Sequence, residues 1–156
     1  MSVNMPKVVI TLACINDLDV LASMFDLYRQ FYDQPSDTAL AKNFIADRIK
    51  MNESIIFIAK NDSSEALGFC QIYPSFCSVE ATRIYKLYDM FVHPQARRCG
   101  AGRALLLAVE EHAKDKGVVR LDLETAKDNK KAQSLYESLG WIQDSEFLTY
   151  NRRVTI

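Results

Sequence analysis

Cysteine and glycine are scarce in this chain, histidine scarcer still, and no apolar run is long. Cys14, Cys70, Cys77 and Cys99 form no close CxxC pair, and His93 and His112 are the only histidines, so neither a disulfide frame nor a metal site is indicated. The longest uncharged stretches, such as Ser54 to Ala59, fall far short of the roughly 20 apolar residues that a bilayer span needs. The start, Met1 to Lys7, lacks the basic opening and apolar core of a secretory signal. A cytoplasmic location with reduced, mostly packed thiols is therefore expected. Neither sign of charge dominates: 19 Lys and Arg face 20 Asp and Glu, for a formal charge of −1. No global positive field gathers nucleic acid or an anionic membrane, so any anion site must be local. No Pro-rich, Ser-rich or like-charge block and no internal repeat divides the 156 residues, and 49% hydrophobic with 25% charged composition suits one globular core. A single domain over 1–156 is expected.

The periodicities predict a mixed α/β order. Lys7 to Leu12 is β-branched and short, a first strand. Asn16 and Asp17 precede a helical pattern of Leu18, Leu21, Ala22, Phe25, Tyr28 and Tyr32 that ends near Asp33-Gln34-Pro35. Asp37 can cap a second helix with Leu40, Ala41, Phe44, Ile45 and Ile49 at three-and-four spacing, closed near Asn52. Ser54 to Lys60 and Leu67 to Tyr73 read as a hairpin, with Pro74 as its end, and Ala81 to Val92 as a further long strand. A helix from Gly102 to Lys116 stops at Gly117, a strand covers Val118 to Glu124, and a short helix from Asn129 to Leu139 stops at Gly140. Trp141 to Ile142 and Phe147 to Val154 are expected to supply closing strands. The whole is a mixed α+β sheet, mostly antiparallel, of six to seven strands flanked by helices, with one βαβ unit.

One loop carries chemistry. Arg97-Arg98-Cys99-Gly100-Ala101-Gly102 leaves a strand through His93-Pro94 and enters a helix whose next residue is Arg103. Glycines without Cβ let backbone N–H groups close on a ligand at a helix N-terminus, and flanking guanidinium groups add charged donors; such a site suits a phosphate. Three phosphate-binding patterns bear on it. The dinucleotide fingerprint GxGxxG matches Gly100 and Gly102 but meets Leu105 at its third glycine. The P-loop fails on both its glycine gap and its missing Lys-Ser or Lys-Thr.

The third pattern is the fullest. Leu87-Tyr88-Asp89-Met90-Phe91-Val92-His93-Pro94, followed by Arg97-x-x-Gly100-x-Gly102, resembles the acetyl-coenzyme A signature of the GNAT superfamily of N-acetyltransferases. Asn129-Lys130-Lys131-Ala132-Gln133-Ser134-Leu135-Tyr136-Glu137-Ser138-Leu139-Gly140-Trp141 resembles that family's Asn-x-x-Ala-x-x-x-Tyr-x-x-x-Gly-aromatic segment. The two motifs span residues 87 to 141, and the preceding order of two helices and a meander is also similar to the family's.

The resemblance implies roles. Main-chain groups of Met90, Phe91 and Val92 would pair with the pantetheine arm of acetyl-coenzyme A, and Arg97, Arg98, Cys99, Gly100, Ala101, Gly102 and Arg103 would hold its pyrophosphate. Asn129 would hydrogen-bond the pantetheine, and Tyr136 would act as general acid for the leaving thiolate; a phenol, neutral at pH 7, can lend that proton. Attack on a thioester requires an amine that has lost a proton, so a base is needed. Asp89 and Glu124 are the carboxylates placed for it. Relatives acting on polyamines carry a glutamate before that aspartate, where this chain has Tyr88. Tyr28, Phe31 and Tyr32, at helical spacing beside Asp33 and Asp37, could receive a cationic amine through ring faces and carboxylates, with Tyr88 as a further substrate-binding ring. Cys99 is read as a small loop residue rather than an acyl carrier. The resemblance implies an N-acetyltransferase that moves the acetyl group from acetyl-coenzyme A to a primary amine by direct attack, with no metal, acting as a homodimer; the amine can belong to a small molecule, an antibiotic, or a lysine or N-terminus of a protein. A non-catalytic acyl-coenzyme A sensor is the alternative and would not need Tyr136; a nucleotide oxidoreductase is the third reading.

Overall fold

The computed structural model describes residues 7–156. These fall into two compact units, one ending at Glu124 and one beginning at Thr125, each taken by itself below. The first unit holds a five-stranded sheet in the order β1-β2-β3-β4-β5, with β1 Val9–Leu12, β2 Ile55–Lys60, β3 Ala66–Cys77, β4 Thr82–Val92 and β5 Leu121–Leu123. Neighbours are antiparallel except β4 and β5, which are parallel and joined through helix α3, Ala101–Asp115. Helices α1, Leu18–Phe31, and α2, Thr38–Lys50, precede β2. Among the described residues no helix is long and apolar enough to cross a membrane.

The helices form where the apolar spacing placed them. Leu21, Met24 and Phe25 on α1 and Ala41 and Ile45 on α2 bury against Ile56, Ile58, Phe69 and Phe91 of the sheet. The same stripe of α1 continues one and two turns on to Tyr28 and Tyr32, which brings both rings to the sheet's β3–β4 region. Asp37 caps α2, its carboxylate accepting from the Leu40 N–H at 2.9 Å, and is thereby committed to the helix rather than to a ligand. On α3, Leu105, Leu106, Val109 and Ala113 are buried. Leu105 is fully buried, so the position where a dinucleotide fold wants glycine is a core position here.

Three expectations are corrected. Pro74 does not end β3, which runs on to Cys77. Strand β2 stops pairing at Ile72, so from there β3 has only β4 beside it, and a residue without an N–H costs no ladder bond on the open side. The helix after the glycine loop begins at Ala101, one residue early, because Gly100 takes the left-handed conformation, φ 82°, that ends the loop. Among the described residues the sheet has five strands rather than six or seven. Trp141 to Ile142 and Phe147 to Val154 join no ladder among the described residues, and Ile142, Phe147, Leu148, Tyr150 and Val154 are all exposed. Apolar alternation there marks sequence able to pair, and pairing requires an edge to receive it.

The second unit contains α4, Lys130–Ser138, which Asn129 caps by accepting from the Ala132 N–H at 3.3 Å. Gly140, at φ 88°, terminates that turn, and the Trp141 ring lies 6.1 Å from the Tyr136 ring.

Candidate active site

The strongest local feature is a break in register. Gln71 pairs with Asp89, but the next residue, Ile72, pairs with Leu87, so Tyr88 is an extra residue bulged out of β4. A bulge re-aims side chains and sharpens the twist. Here it leaves Tyr88 70% exposed while Asp89 beside it is 5% exposed. Past the bulge β4 also loses a neighbour. Strand β5 pairs only with Tyr85, Lys86 and Leu87, so the main chain of Met90, Phe91 and Val92 has β3 on one side and no strand on the other among the described residues. An edge of unladdered N–H and C=O groups is what an extended, amide-bearing ligand arm can use.

Asp89 is a buried carboxylate with few donors. The Gln71 Nε2 donates to its Oδ2 at 2.7 Å, and the Ser54 hydroxyl donates to the Gln71 Oε1 at 2.6 Å. The Tyr28 hydroxyl lies within reach of the same carboxylate and 3.4 Å from the Tyr88 carbonyl oxygen. Burial pushes the Asp89 carboxyl above the ordinary aspartate range, and the bonds from Gln71 and Tyr28 only partly offset this. The neighbouring phenols respond. Burial, then the Asp89 charge, raises Tyr28 and Tyr32, and the same two causes push Tyr73 up to about 12. The rings are arranged edge to face, Tyr28 with Tyr32 at 5.2 Å and Tyr73 with Tyr88 at 5.8 Å. Electron-rich ring faces around a buried anion make a receptor for a cation.

The glycine loop supplies the opposite polarity. Arg98 holds φ 67° and Gly100 φ 82°, and Gly100, as the residue before α3, offers no side chain to cap the first-turn N–H groups. Arg97, Arg98 and Arg103 are exposed, and none joins an ion pair among the described residues. Free N–H groups at a helix start, with three unpaired guanidinium groups, suit a pyrophosphate. Ala101 is buried and Gly102 sits helically in the first turn, so only Gly100 of the pair is needed for its φ. The Cys99 thiol donates to the Ala96 carbonyl at 2.6 Å, which fits a loop-packing residue.

Of the residues singled out in the sequence, Asp89, Tyr28, Tyr32 and Tyr88 converge, with Met90 to Val92 next along β4. Glu124, just past β5, is exposed and is not among the groups acting on Asp89. Asn129 and Tyr136 belong to the second unit. Gln71, Ser54 and Tyr73 are members of the cluster that sequence reasoning missed; the available signal was a glutamine inside the apolar run Leu67-Gly68-Phe69-Cys70-Gln71-Ile72-Tyr73.

The first unit thus sets a buried carboxylate and its aromatic neighbours next to an open strand edge, with a glycine loop and unpaired arginines at the start of the following helix. The profile of the acetyltransferase (GNAT) family matches residues 21–141, across both units, and the chain belongs to that family as an acetyltransferase. It is 44% identical over 135 residues to the uncharacterized N-acetyltransferase YhfO of Bacillus subtilis (strain 168), covering 86% of this chain and 90% of the relative. A probable acetyltransferase of Haemophilus influenzae (strain ATCC 51907 / DSM 11121 / KW20 / Rd) is 30% identical over 125 residues, covering 80% and 84%. Among solved structures, a probable acetyltransferase superposes with a TM-score of 0.89 at 36% identity, over 95% of this chain and 99% of that one.

Proposed function

We propose that the chain is an N-acetyltransferase that takes acetyl-coenzyme A as donor and a small primary amine as acceptor, with 1–156 working as one catalytic domain. The observation that carries the acceptor is Asp89, a buried carboxylate ringed by Tyr28, Tyr32, Tyr73 and Tyr88. The alkylammonium binds against the rings with its charge toward Asp89. Asp89 first takes one proton from the ammonium; the neutral nitrogen then attacks the thioester carbonyl, the N–C bond forms, the C–S bond breaks, and the second nitrogen proton passes through water to restore Tyr136. The leaving thiolate takes a proton from Tyr136, a role that rests on the resemblance of the Asn129 to Trp141 segment. The donor's pantetheine arm lies along Met90 to Val92, with Asn129 as a further partner, and its pyrophosphate on the loop from Arg97 to Arg103. Support for the loop is its left-handed Arg98 and Gly100 and the uncapped start of α3.

The direct test is acetylation of a panel of small amines, with calorimetry of acetyl-coenzyme A, coenzyme A and NAD. Acetyl-coenzyme A binding with amine-dependent release of coenzyme A is expected, and NAD should give no heat. Tyr136→Phe should keep donor binding and lower turnover about 10²- to 10⁴-fold. A protein that binds acetyl-coenzyme A and acetylates nothing would be a sensor. The exposed Phe147, Leu148, Tyr150, Val154 and Ile156 support a homodimer paired through this segment in the cytoplasm, and sedimentation at 17.8 kDa, the monomer mass, would refute it.

A further inference from the structure

We propose that Gln71 and Ser54 are positioning residues that fix the Asp89 carboxylate for its encounter with the amine, an inference that rests on Asp89 being the group that takes the amine's proton. Gln71 is fully buried in the middle of an apolar strand, where an amide is costly unless each end finds a partner. Its ends find two. Nε2 donates to Asp89 Oδ2 at 2.7 Å, and Oε1 accepts from the Ser54 hydroxyl at 2.6 Å. Gln71 and Asp89 are also direct partners across β3 and β4, at the register position where the Tyr88 bulge begins, so they share one face of the sheet.

The chemistry sets the direction of this chain. An ionised carboxylate only accepts, whereas an amide can present either an N–H or a carbonyl. Turned the wrong way, Gln71 would set its oxygen against the carboxylate, two acceptors face to face. Ser54 decides between the two: by donating to Oε1, its hydroxyl leaves Nε2 for Asp89. Oδ2 is thereby anchored in the sheet, which fixes the orientation in which the carboxylate meets the Tyr28 hydroxyl and the amine. The other groups facing Asp89 are Tyr28 on α1, Tyr32 just past it, and Cys70 and Tyr73 from β3, with the Tyr88 ring against Tyr73. Arg48 on α2 and Glu53 after it face Tyr73 and are paired with each other at 2.7 Å. None of these supplies the neutral, fixed amide donor that Gln71 does.

The test reads Asp89 directly and separately from turnover. Protein carrying ¹³C-labelled aspartate side-chain carboxyls is titrated by NMR, with the Asp89 signal assigned by its loss in Asp89→Asn, and the acid limb of kcat/KM is measured on the same variants. Gln71→Leu should move the Asp89 titration up by about one to two pH units, the worth of one charged hydrogen bond. Ser54→Ala should move it up by less, and Ser54→Thr should leave it at the wild-type position. The kinetic acid limb should follow each shift. If Gln71→Leu does not fold, Ser54→Ala, at a half-buried strand start, carries the test. An Asp89 titration unmoved in the folded variants overturns the proposal. A titration that moves while the acid limb stays fixed shows that Gln71 tunes a carboxylate that is not the base, which overturns the positioning role together with the base assignment.

Discussion

Asp26 on α1 and Asp89 on β4 are both buried, at 3% and 5% exposure, yet their surroundings are opposite. Asp26 accepts from the Ser36 hydroxyl at 2.7 Å, the Asp37 N–H at 2.7 Å and the Gln30 side chain at 3.0 Å, with Arg29 at 3.8 Å. The Ser36 bond first, and the Asp37 N–H next, hold its carboxyl below the ordinary range. It is a fastener, closing the turn between α1 and α2 and so placing the stripe that carries Tyr28 and Tyr32. Asp89 has Gln71 and a share of Tyr28, and burial holds it above the ordinary range. A charge so thinly partnered is poorly explained by stability, since an apolar residue would pack there at less cost. On the proposed reading, the difference separates a carboxylate kept for the fold from one kept available for chemistry.

The largest effect expected from breaking this contrast is on turnover. Asp89→Asn should lower kcat/KM about 10²- to 10⁴-fold while thermal unfolding stays at or above the wild-type temperature, because a strained charge is removed. Asp26→Ala should do the reverse. It strips the Asp37 N–H and Ser36 of their acceptor and should cost about 2–3 kcal/mol in denaturant unfolding, with a far smaller loss of kcat per folded molecule than Asp89→Asn. Gly68→Ala probes the strand edge beyond Asp89: a Cβ there would collide with the Phe91 carbonyl oxygen across β3 and β4, so a loss of about 1–3 kcal/mol is expected together with weaker donor binding along Met90 to Val92.

The smallest effect is in the pH dependence of stability, and its sign differs between the two groups. Asp26, lowered in the fold, contributes stability that is present above the unfolded aspartate value of 3.8 and lost as pH falls through its folded value. Asp89, raised in the fold, favours its protonated form. It costs nothing below 3.8, and its cost grows as pH rises from there through its folded value. Denaturant titrations should therefore show Asp89→Asn gaining on the wild type as pH rises above 3.8. Asp26→Asn should converge toward the wild type as pH falls below 3.8.

The helices, the meander and the glycine loop were legible in the sequence because local rules govern them: three-and-four spacing on α1 and α3, an aspartate at the start of α2, and a glycine before α3, which takes φ 82°. Asp89 was visible as a lone carboxylate in an apolar strand. Its partners were not. Gln71 is 18 residues away and meets Asp89 only through strand pairing, and the bulge that turns Tyr88 outward is a register event that alternation cannot announce. Pro74 was misread as an end because whether a strand is an edge depends on where its neighbour stops, which for β2 is Ile55 opposite Ile72. The unpaired Phe147 to Val154 fails for the same reason: a strand-like pattern needs a partner that the pattern does not encode.

The measurement that tests the central claim most directly is the pH profile of kcat/KM for amine acetylation, in the wild type and in Asp89→Asn. The wild type should show an acid limb above the ordinary aspartate range, distinct from titration of the amine itself, and Asp89→Asn should lack that limb and run at a uniformly low rate. An acid limb of the same position and slope in folded Asp89→Asn would contradict the assignment of the amine's proton to Asp89.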